Sequence, residues 1–440
     1  MSELFRDLGD GLLLRRADTA DTDALAAFNI KIHSDDPEEL EEWLGSWTRD
    51  LMSGNHPIVQ PHDFTVVIDT LNANKIVSSL VGIPQIWRYD GIPFSVGRPE
   101  LIGTDPAYRR RGLVRVQMDV FHTYCAQQGD MVQAITGIAW YYRMFGYEMA
   151  LDLGGGREFF WSRPGNDTVP GIENYRMRPA VVADISRLMK LYDYFVDDSL
   201  VSCVRDEQIW QFGLAGARRD SVYAMNTQII ETLDGTAVAY VDYRVWGTAF
   251  TVRELGVLPG HSWRDVCLFL SRELKRQADE LNKGRKKPIS HISFGLKTDH
   301  PVFKALDPQL EKSRKPYAWY MRVPDLPAFI QHIAPSLERR LAVSVMAGHS
   351  GTLRLNFFKA TMALKFEQGR LVDVDSFEPQ EFEDGDALFP DLSFLQLLFG
   401  YRSLAELMYA FADCQVNNAE AKVLLAILFP KRPSQVFANG

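Results

Sequence analysis

The stretch Glu100-Leu-Ile-Gly-Thr-Asp-Pro-Ala-Tyr-Arg109-Arg110-Arg111-Gly112-Leu113-Val114-Arg115 constrains the fold of this chain more than any other. A short apolar run ends at Thr104-Asp105-Pro106, a basic turn carrying Gly112 follows, and from Leu113 to Gln127 the pattern is helical. The order is strand, turn, helix. Amides in the first turn of a helix have no partner within it, and the helix dipole adds partial positive charge there, so such a turn can hold a phosphate. Gly112 lets backbone approach a ligand closely. The three arginines add attraction for an anion, although helix geometry cannot aim all of them at one ligand. Taken alone, a basic turn before a helix is more often a solvated surface.

A chain of 440 residues predicts two or three domains, and 46% hydrophobic with 24% charged residues is a globular composition. The 12% aromatic content supplies cores and an apolar pocket. A net charge of -9 argues against general nucleic-acid binding and suits a cationic substrate without identifying it. Cys125, Cys203, Cys267 and Cys414 are scattered, without a Cys-x-x-Cys pair or histidines at ligand spacing, so no metal is expected. The start lacks the basic end and apolar core of a signal peptide, and no apolar run approaches the roughly 20 residues of a membrane span. A reduced, cytoplasmic chain with no membrane partner is the expectation.

In order, Leu12 to Ala17 reads as a strand, and Asp18-Thr-Ala-Asp-Thr-Asp caps a helix with Leu25, Ala26 and Phe28 on its apolar face. Ile32 to Asp36 and Leu40 to Leu51 suggest a further helical region. Strands are predicted at Phe64 to Asp69, Ile76 to Pro84, Glu100 to Thr104 and Met131 to Thr136, with a short helix from Trp140 to Phe145. Gly154-Gly-Gly156 lacks arginines and reads as a hairpin turn, not a phosphate loop. An internal echo links Leu14 to Leu25 with Met177 to Leu188: Arg15/Arg178, Ala17/Ala180, Ala20/Ala183, Asp21/Asp184 and Leu25/Leu188 share one offset. Between the copies, 163–174 is linker-like in its Pro, Gly and Asn content.

In the second unit, Ala237 to Val245 and Thr251 to Val257 serve as central strands before a helix from Trp263 to Leu281. Where an arginine turn would recur stands Leu258-Pro-Gly-His-Ser-Trp-Arg264, without the Arg-x-x-Gly spacing. The run Lys283-Gly-Arg-Lys-Lys287 reads as a solvated loop. Beyond Val323 come a helical stretch from Ala328 to Leu341 and hairpin strands turning at Gly369. Helices follow at Leu392 to Leu398, Leu404 to Ala412 and Ala419 to Leu428, then an extended, proline-bearing tail.

The turn Arg109-Arg110-Arg111-Gly112-Leu113-Val114 resembles the Arg/Gln-x-x-Gly-x-Gly/Ala motif of the GNAT superfamily of acyl-coenzyme A N-acyltransferases, with Val114 departing from the small residue at its end. Arg-Arg-Arg-Gly-Leu, an aliphatic residue and Arg is similar to the Eis-like (enhanced intracellular survival) branch. Tyr142-Arg-Met-Phe-Gly-Tyr147 resembles that superfamily's Tyr-x-x-Phe-Gly-Tyr/Phe element. Leu397-Leu-Phe-Gly-Tyr-Arg-Ser and Leu428-Phe-Pro are similar to the sterol-carrier-like closing domain of the Eis-like family.

The resemblance implies an α+β fold with a mixed sheet in two tandem copies, followed by a sterol-carrier-like α+β domain. The corresponding limits are 1–162 for the coenzyme-binding unit, 163–174 for the linker, 175–325 for a second unit without the coenzyme motif, and 326–440 for the closing domain. It implies acetyl-coenzyme A as co-substrate, held by Arg109, Arg110, Arg111, Gly112, Leu113 and Val114. Leu101, Ile102 and Gly103 belong to the strand whose amide polarises the thioester carbonyl. Tyr142 is the expected acid for the departing thiolate, since a phenol near ~10 can serve a thiol near ~8.5. Tyr141, one place earlier, is the register alternative. The family's base is the chain's terminal carboxylate, which Gly440 supplies if the terminus enters the site; if it does not, a water or an acidic side chain acts instead.

His33, Asp35, Asp36 and Trp43 stand where the superfamily often builds its acceptor pocket. A capped surface turn accounts equally for the first three, and core packing accounts for Trp43 and Trp47. The expected activity is N-acetylation of a cationic amine of aminoglycoside, polyamine or lysyl type, by direct attack in a ternary complex, in a homo-oligomer that the resemblance makes a hexamer. Two rival readings are tRNA-dependent aminoacyl transfer on tandem units, which needs a basic groove, and a non-enzymatic lipid or hydrophobe carrier.

Overall fold

The computed structural model describes residues 5–36, 38–164, 166, 173–311 and 314–437. The fold is mixed α+β, built on sheets of nine, six and five strands. The first sheet begins with β1 (Phe5–Gly9) and β2 (Leu12–Arg16), continues through α1 (Thr22–His33) and α2 (Glu42–Leu51), and returns in β3 (Phe64–Asp69). A long hairpin of β4 (Lys75–Tyr89) and β5 (Ile92–Thr104) turns at Asp90-Gly91, both with positive φ. The helix α3 (Leu113–Gln128) then crosses over to β6 (Val132–Ile135), which lies parallel to β5. Of the helical region expected over 32–36 and 40–51, α2 forms from Glu42, while Ser34 to Asp36 are not helical: Ser34 caps the end of α1, and its hydroxyl accepts from the Glu41 amide at 2.8 Å.

Past β7 (Glu148–Leu153), Gly154-Gly-Gly156 does not close a hairpin. It carries the chain out of the first sheet to β8 (Arg157–Phe160), an edge strand of the second. A Cβ at Gly156 would fall 1.8 Å from the Phe294 carbonyl oxygen, so no side chain fits this crossing. The second sheet adds β9 (Tyr175–Pro179), then, after α4 (Ile185–Val196), β10 (Val201–Cys203) and α5 (Glu207–Gln211), the strands β11 (Thr227–Thr232), β12 (Ala237–Trp246) and β13 (Ala249–Val257). The helix α6 (Trp263–Leu281) leads to β14 (His291–Phe294), parallel to β13. After α7 (Pro301–Ala305), β15 (Tyr317–Arg322) rejoins the first sheet between β6 and β7, and β10 also pairs there, with β4. The two sheets therefore exchange strands across the expected limits at 162 and 325, and residues 163–174 lie largely outside the described ones.

The sequence echo has a physical basis in both places. Arg15 holds Asp21 at 2.6 and 2.7 Å, and Arg178 holds Asp184 at 2.7 and 2.9 Å. Each aspartate also accepts from the backbone three residues earlier, Asp18 and Val181, at 3.0 Å. Strand, short 3-10 turn and helix are thus tied at the same point in each copy.

The third region opens with α8 (Leu326–His332) and α9 (Ala334–Ala342). These are two helices where one was predicted: Ile333 breaks the run and Pro335 starts the second, since a proline fits the first turn of a helix but not its interior. Five strands follow, β16 (Gly351–Asn356), β17 (Thr361–Glu367), β18 (Arg370–Asp375), β19 (Ala387–Leu388) and β20 (Gln415–Val416). They pack with α10 (Phe394–Leu398), α11 (Leu404–Ala410) and α12 (Ala419–Leu428). One core joins this region to the first sheet: Trp87, Tyr89 and Phe94, near the tip of the β4–β5 hairpin, pack with Phe329, Leu337 and Phe399. Each such side chain contributes about 1.5–3 kcal/mol by burial.

Asp90 locks that joint. Its carboxylate accepts from Ser336 at 2.5 Å, Arg432 at 2.6 Å and Arg340 at 3.0 Å. Burial alone would raise this acid, but Ser336, Arg340 and Arg432 outweigh it and hold it at about 2, against an ordinary 3.8. A carboxylate lowered in the folded state contributes stability that is complete above pH 3.8 and lost as pH falls through about 2. Asp90→Asn is accordingly expected to cost about 2 kcal/mol in urea unfolding at pH 7, with the gap from wild type narrowing between pH 4 and pH 2.

Candidate active site

The turn before α3 has the geometry of an anion cradle. Arg110 and Gly112 both have positive φ, 65° and 75°, which turns successive peptide units the same way. Among the described residues, the amides from Arg110 to Arg115 donate to no acceptor; the helix ladder begins with the Val116 amide on the Gly112 carbonyl at 3.1 Å. Gly112 stands at the N-cap without a side chain to occupy the amides, and the first turn holds no acid. Arg109, Arg110, Arg111 and Arg115 join no ion pair among the described residues, so their charge is free to add to the helix end. The turn itself is anchored from below: Asp105 receives Lys75 at 2.8 Å, and the Tyr108 hydroxyl donates to Asp69 at 2.7 Å.

The strand facing this turn is deformed. Ser79 of β4 pairs with Gly103 and Val81 with Glu100, so two residues of β5, Leu101 and Ile102, oppose one of β4. Leu101 has φ 49°, costly for a non-glycine residue and sustained by what surrounds it. The buried Ser79 hydroxyl donates toward the Leu101 carbonyl and Asn29 Oδ1, both at 3.1 Å, and Asn29 donates to Thr48 at 3.0 Å. Ser78 similarly donates toward the Gly103 carbonyl at 2.7 Å and Gln117 at 2.6 Å. Parallel pairing of β5 with β6 is registered at Val96/Val132 and Gly97/Gln133 and goes no further, while the other edge of β6 stays paired with β15 from Gln133 to Ile135. The sheet splays, and a cleft opens between the bulge and the loop after β6.

Tyr142 lies on that loop, in a 3-10 turn (Tyr141–Phe145) where a short helix was predicted. The turn is held from a distant strand: Tyr320 of β15 accepts from the Trp140 amide at 2.6 Å and donates to the Ile138 carbonyl at 3.4 Å. Edge-on packing against Tyr141, Tyr147 and Tyr320 fixes the Tyr142 ring. Burial, reinforced by the Glu100 charge, pushes its phenol above the ordinary range, so it is protonated at neutral pH. Its hydroxyl has no hydrogen-bond partner among the described residues.

Two cavities meet there. One, of about 600 Å³, runs from Arg109, Arg110 and Gly112 past Val114 to Tyr141 and Tyr142. The other, of about 270 Å³, lies between Trp43, Trp47, Glu41, Glu100 and Tyr142. His33, Ile102, Ile138 and Tyr142 line both. Tyr142 lines both cavities, and Tyr141 lines the larger. Trp43 and Trp47 wall the smaller cavity as well as packing: Trp43 meets Trp246, at the tip of the β12–β13 hairpin, and Trp47 meets Tyr223. Leu101 and Ile102 line the smaller cavity, and Gly103 and Leu113 line the larger.

Arg111 turns to Tyr108, 5.4 Å from its ring. Asp35 and Asp36 are exposed and line neither cavity, because α1 ends at His33 and the chain turns outward. Gly440 lies outside the described residues. The described chain closes at Phe437, whose carbonyl accepts from Arg205 at 3.2 Å and whose ring neighbours Tyr223.

Sequence reasoning missed Glu100 and Tyr320. Glu100 is half-buried beside Arg98 at 2.6 Å; desolvation raises its carboxyl and Arg98 opposes the rise. Only the alternation of β5 and the splayed sheet bring Glu100 to the cavity, and neither has a local signal.

The second unit lacks this cradle. At the start of α6, the Ser262 hydroxyl caps the Asp265 amide at 3.2 Å, and Asp265 places a negative charge in the first turn. No group of three His, Cys, Asp or Glu residues among the described ones could hold a metal ion. No described helix is long and apolar enough to cross a membrane.

Residues 15–150 match the family model described as an acetyltransferase (GNAT) domain. No curated protein matches the sequence. Among solved structures, the chain is similar to a conserved protein of unknown function from Enterococcus faecalis V583, described as a probable N-acyltransferase. The TM-score is 0.67 at 14% identity, over 98% of this chain and 100% of that one. A GCN5-related N-acetyltransferase from Anabaena variabilis ATCC 29413 gives TM-score 0.67 at 13% identity, covering 97% and 99%. Eis1 from Mycobacterium abscessus gives 0.60 at 15%, covering 98% and 99%. At these identities the likeness is one of fold.

Ser79→Ala removes the donor shared by Leu101 and Asn29 within the core and is expected to cost about 1–3 kcal/mol in urea unfolding, several times the effect of an alanine at the exposed Ser53.

Proposed function

We propose that this chain is an acetyl-coenzyme A dependent N-acetyltransferase whose acceptor is a cationic amine of aminoglycoside, polyamine or lysyl type. The observation carrying this reading is the run of undonated amides from Arg110 to Arg115, opening through one cavity onto an unpartnered phenol at Tyr142. A diphosphate fits the cradle: the amides lack acceptors, Gly112 presents no Cβ, and no acid stands in the first turn. Bound there, the coenzyme supplies an activated acetyl thioester.

The chain's own residues do the rest. Amides of Arg110 to Val114 take the diphosphate oxygens, with Arg109, Arg110 and Arg115 on the cavity wall adding charge. The Leu101–Gly103 bulge turns its carbonyls to the β4 serines, and Ile102 faces the cleft, where backbone polarises a carbonyl. Tyr142 holds the proton a departing thiolate requires. On the acceptor side, Trp43 and Trp47 offer aromatic faces and Glu41 and Glu100 offer carboxylates, a combination suited to an organic cation.

The net charge of -9 favours this reading over tRNA-dependent aminoacyl transfer, and a carrier acting through the closing region would leave the cradle and Tyr142 without use. Thiol release from acetyl-coenzyme A, followed across a panel of amines, tests the proposal; absence of amine-dependent release contradicts it. Tyr142→Phe is expected to lower turnover about 100-fold or more while coenzyme affinity stays within about twofold, and unchanged turnover removes Tyr142 as the acid. Gly112→Val forces a branched side chain into a left-handed conformation and is expected to weaken coenzyme binding about tenfold in calorimetric titration.

A further inference from the structure

We infer that the chain carries a second ligand site, beside the C-terminal half of α3, which takes an organic cation: one ammonium group on an apolar ring or chain. This site shares no residue with the two cavities described above and needs no coenzyme.

A hollow of about 510 Å³ lies between the second half of α3, the β4–β5 hairpin, the segment leading into β3, and the passage from β10 to α5. The helix has 16 residues, so at about 1.5 Å per residue its C-terminal end is roughly 24 Å from the arginine turn. Glycines make the room. A Cβ at Gly97 would come within 3.0 Å of Asp130 Oδ2, and one at Gly82 within 3.0 Å of the Phe121 ring. Phe121, Ile83, Ile86 and Ile209 form the apolar wall. Ile86 is half-exposed there, so a ligand that covers it gains from burial.

The charged groups lining the hollow are His62, Asp63, Asp130 and Asp206. Two of the acids are already engaged. Asp63 accepts from the Gln60 amide at 2.8 Å and the Tyr124 hydroxyl at 3.4 Å, with His62 at 3.9 Å, and Asp206 caps the Ile209 amide at 2.9 Å. Asp130 differs. It joins no ion pair among the described residues; burial raises its carboxyl above the ordinary range, and only the Cys125 thiol, donating to it, opposes the rise. An ammonium would supply the opposite charge that this carboxylate lacks.

The helix adds to the same field. No basic residue stands in the last turn of α3, so the negative end of its dipole is uncompensated beside Asp130. The Ser95 hydroxyl donates to the Gly129 carbonyl at 2.9 Å and ties that helix end to β5. One end of α3 offers amides without acceptors, and the other offers a carboxylate without a cation. A bare metal ion is a poor occupant, since no group of three His, Cys, Asp or Glu residues among the described ones could hold it. An anion would meet Asp130 with like charge, and a neutral apolar molecule would leave it unpaired. An ammonium on an apolar body satisfies both the wall and the carboxylate.

Calorimetric titration of the full chain, without coenzyme, compares naphthylmethylamine with naphthylmethanol and naphthoate. Wild type is expected to bind the amine at least about tenfold more tightly than either of the others. Asp130→Asn is expected to weaken the amine about tenfold and to leave the alcohol within about twofold. Ile86→Lys places a tethered ammonium at the mouth of the hollow, at a position exposed enough to accept lysine, and is expected to weaken the amine to a similar degree. Melting temperatures report whether each variant folds; should Asp130→Asn not fold, Ile86→Lys decides in its place. An amine bound no more tightly than the alcohol, or bound by the folded variant within about twofold of wild type, overturns the inference. Amine binding that survives Asp130→Asn and is lost in Trp43→Ala belongs to the acceptor cavity and overturns it equally.

Discussion

The site depends on one deformation: β5 bulges at Leu101 and leaves β6 after Gly97. A sheet that stayed paired would fill its middle with backbone hydrogen bonds and have no cleft. The left-handed leucine costs on the order of 1–3 kcal/mol, and a buried polar network offsets it, with Ser79 and Asn29 on one side and Ser78 and Gln117 on the other. The same network fixes α1 and α3, the helices that bring His33 and the arginine turn to the two sides of the opening.

The two sheets form a natural comparison. Both run strand, helix, three antiparallel strands, helix and a parallel strand, and both tie strand to helix with the same arginine–aspartate pair. They part company at the start of the crossover helix. There α3 has a bare glycine, unpaired amides and free arginines, whereas α6 has Ser262 on its own amides and Asp265 in its first turn. Local side-chain chemistry, laid on similar backbone, leaves the amides of one helix end open and caps the other. The second unit instead serves the first: Trp246 and Tyr223 pack on the tryptophans of α2, and Arg218 pairs with Asp50 at 2.5 Å.

Features coded by short-range pattern were legible in the sequence. The arginine turn, the repeated Arg15 and Arg178 motifs, the Gly369 hairpin and the helix Ala419–Leu428 all follow from residue type and spacing. The fate of Gly154 to Gly156 was not, because whether a glycine turn closes a hairpin or leaves a sheet depends on which distant strand accepts the next one. The exchange of β8 and β15 is of the same kind. Residue type also gives no sign that Leu101 is left-handed. His33 was separable from Asp35 and Asp36 in principle: Leu25, Asn29 and His33 recur every four residues along the inward face of α1, and the aspartates lie past its end.

The central claim, that backbone amides from Arg110 to Arg115 grip a diphosphate, is tested most directly by hydrogen exchange. Those amides donate to no acceptor among the described residues, so they should exchange rapidly in the free protein. Saturation with coenzyme A is predicted to slow exchange in peptides spanning 109–116 and to leave the start of α6 at 262–266 unchanged. Coenzyme binding with no protection over 109–116, or with protection at 262–266 instead, would contradict the account.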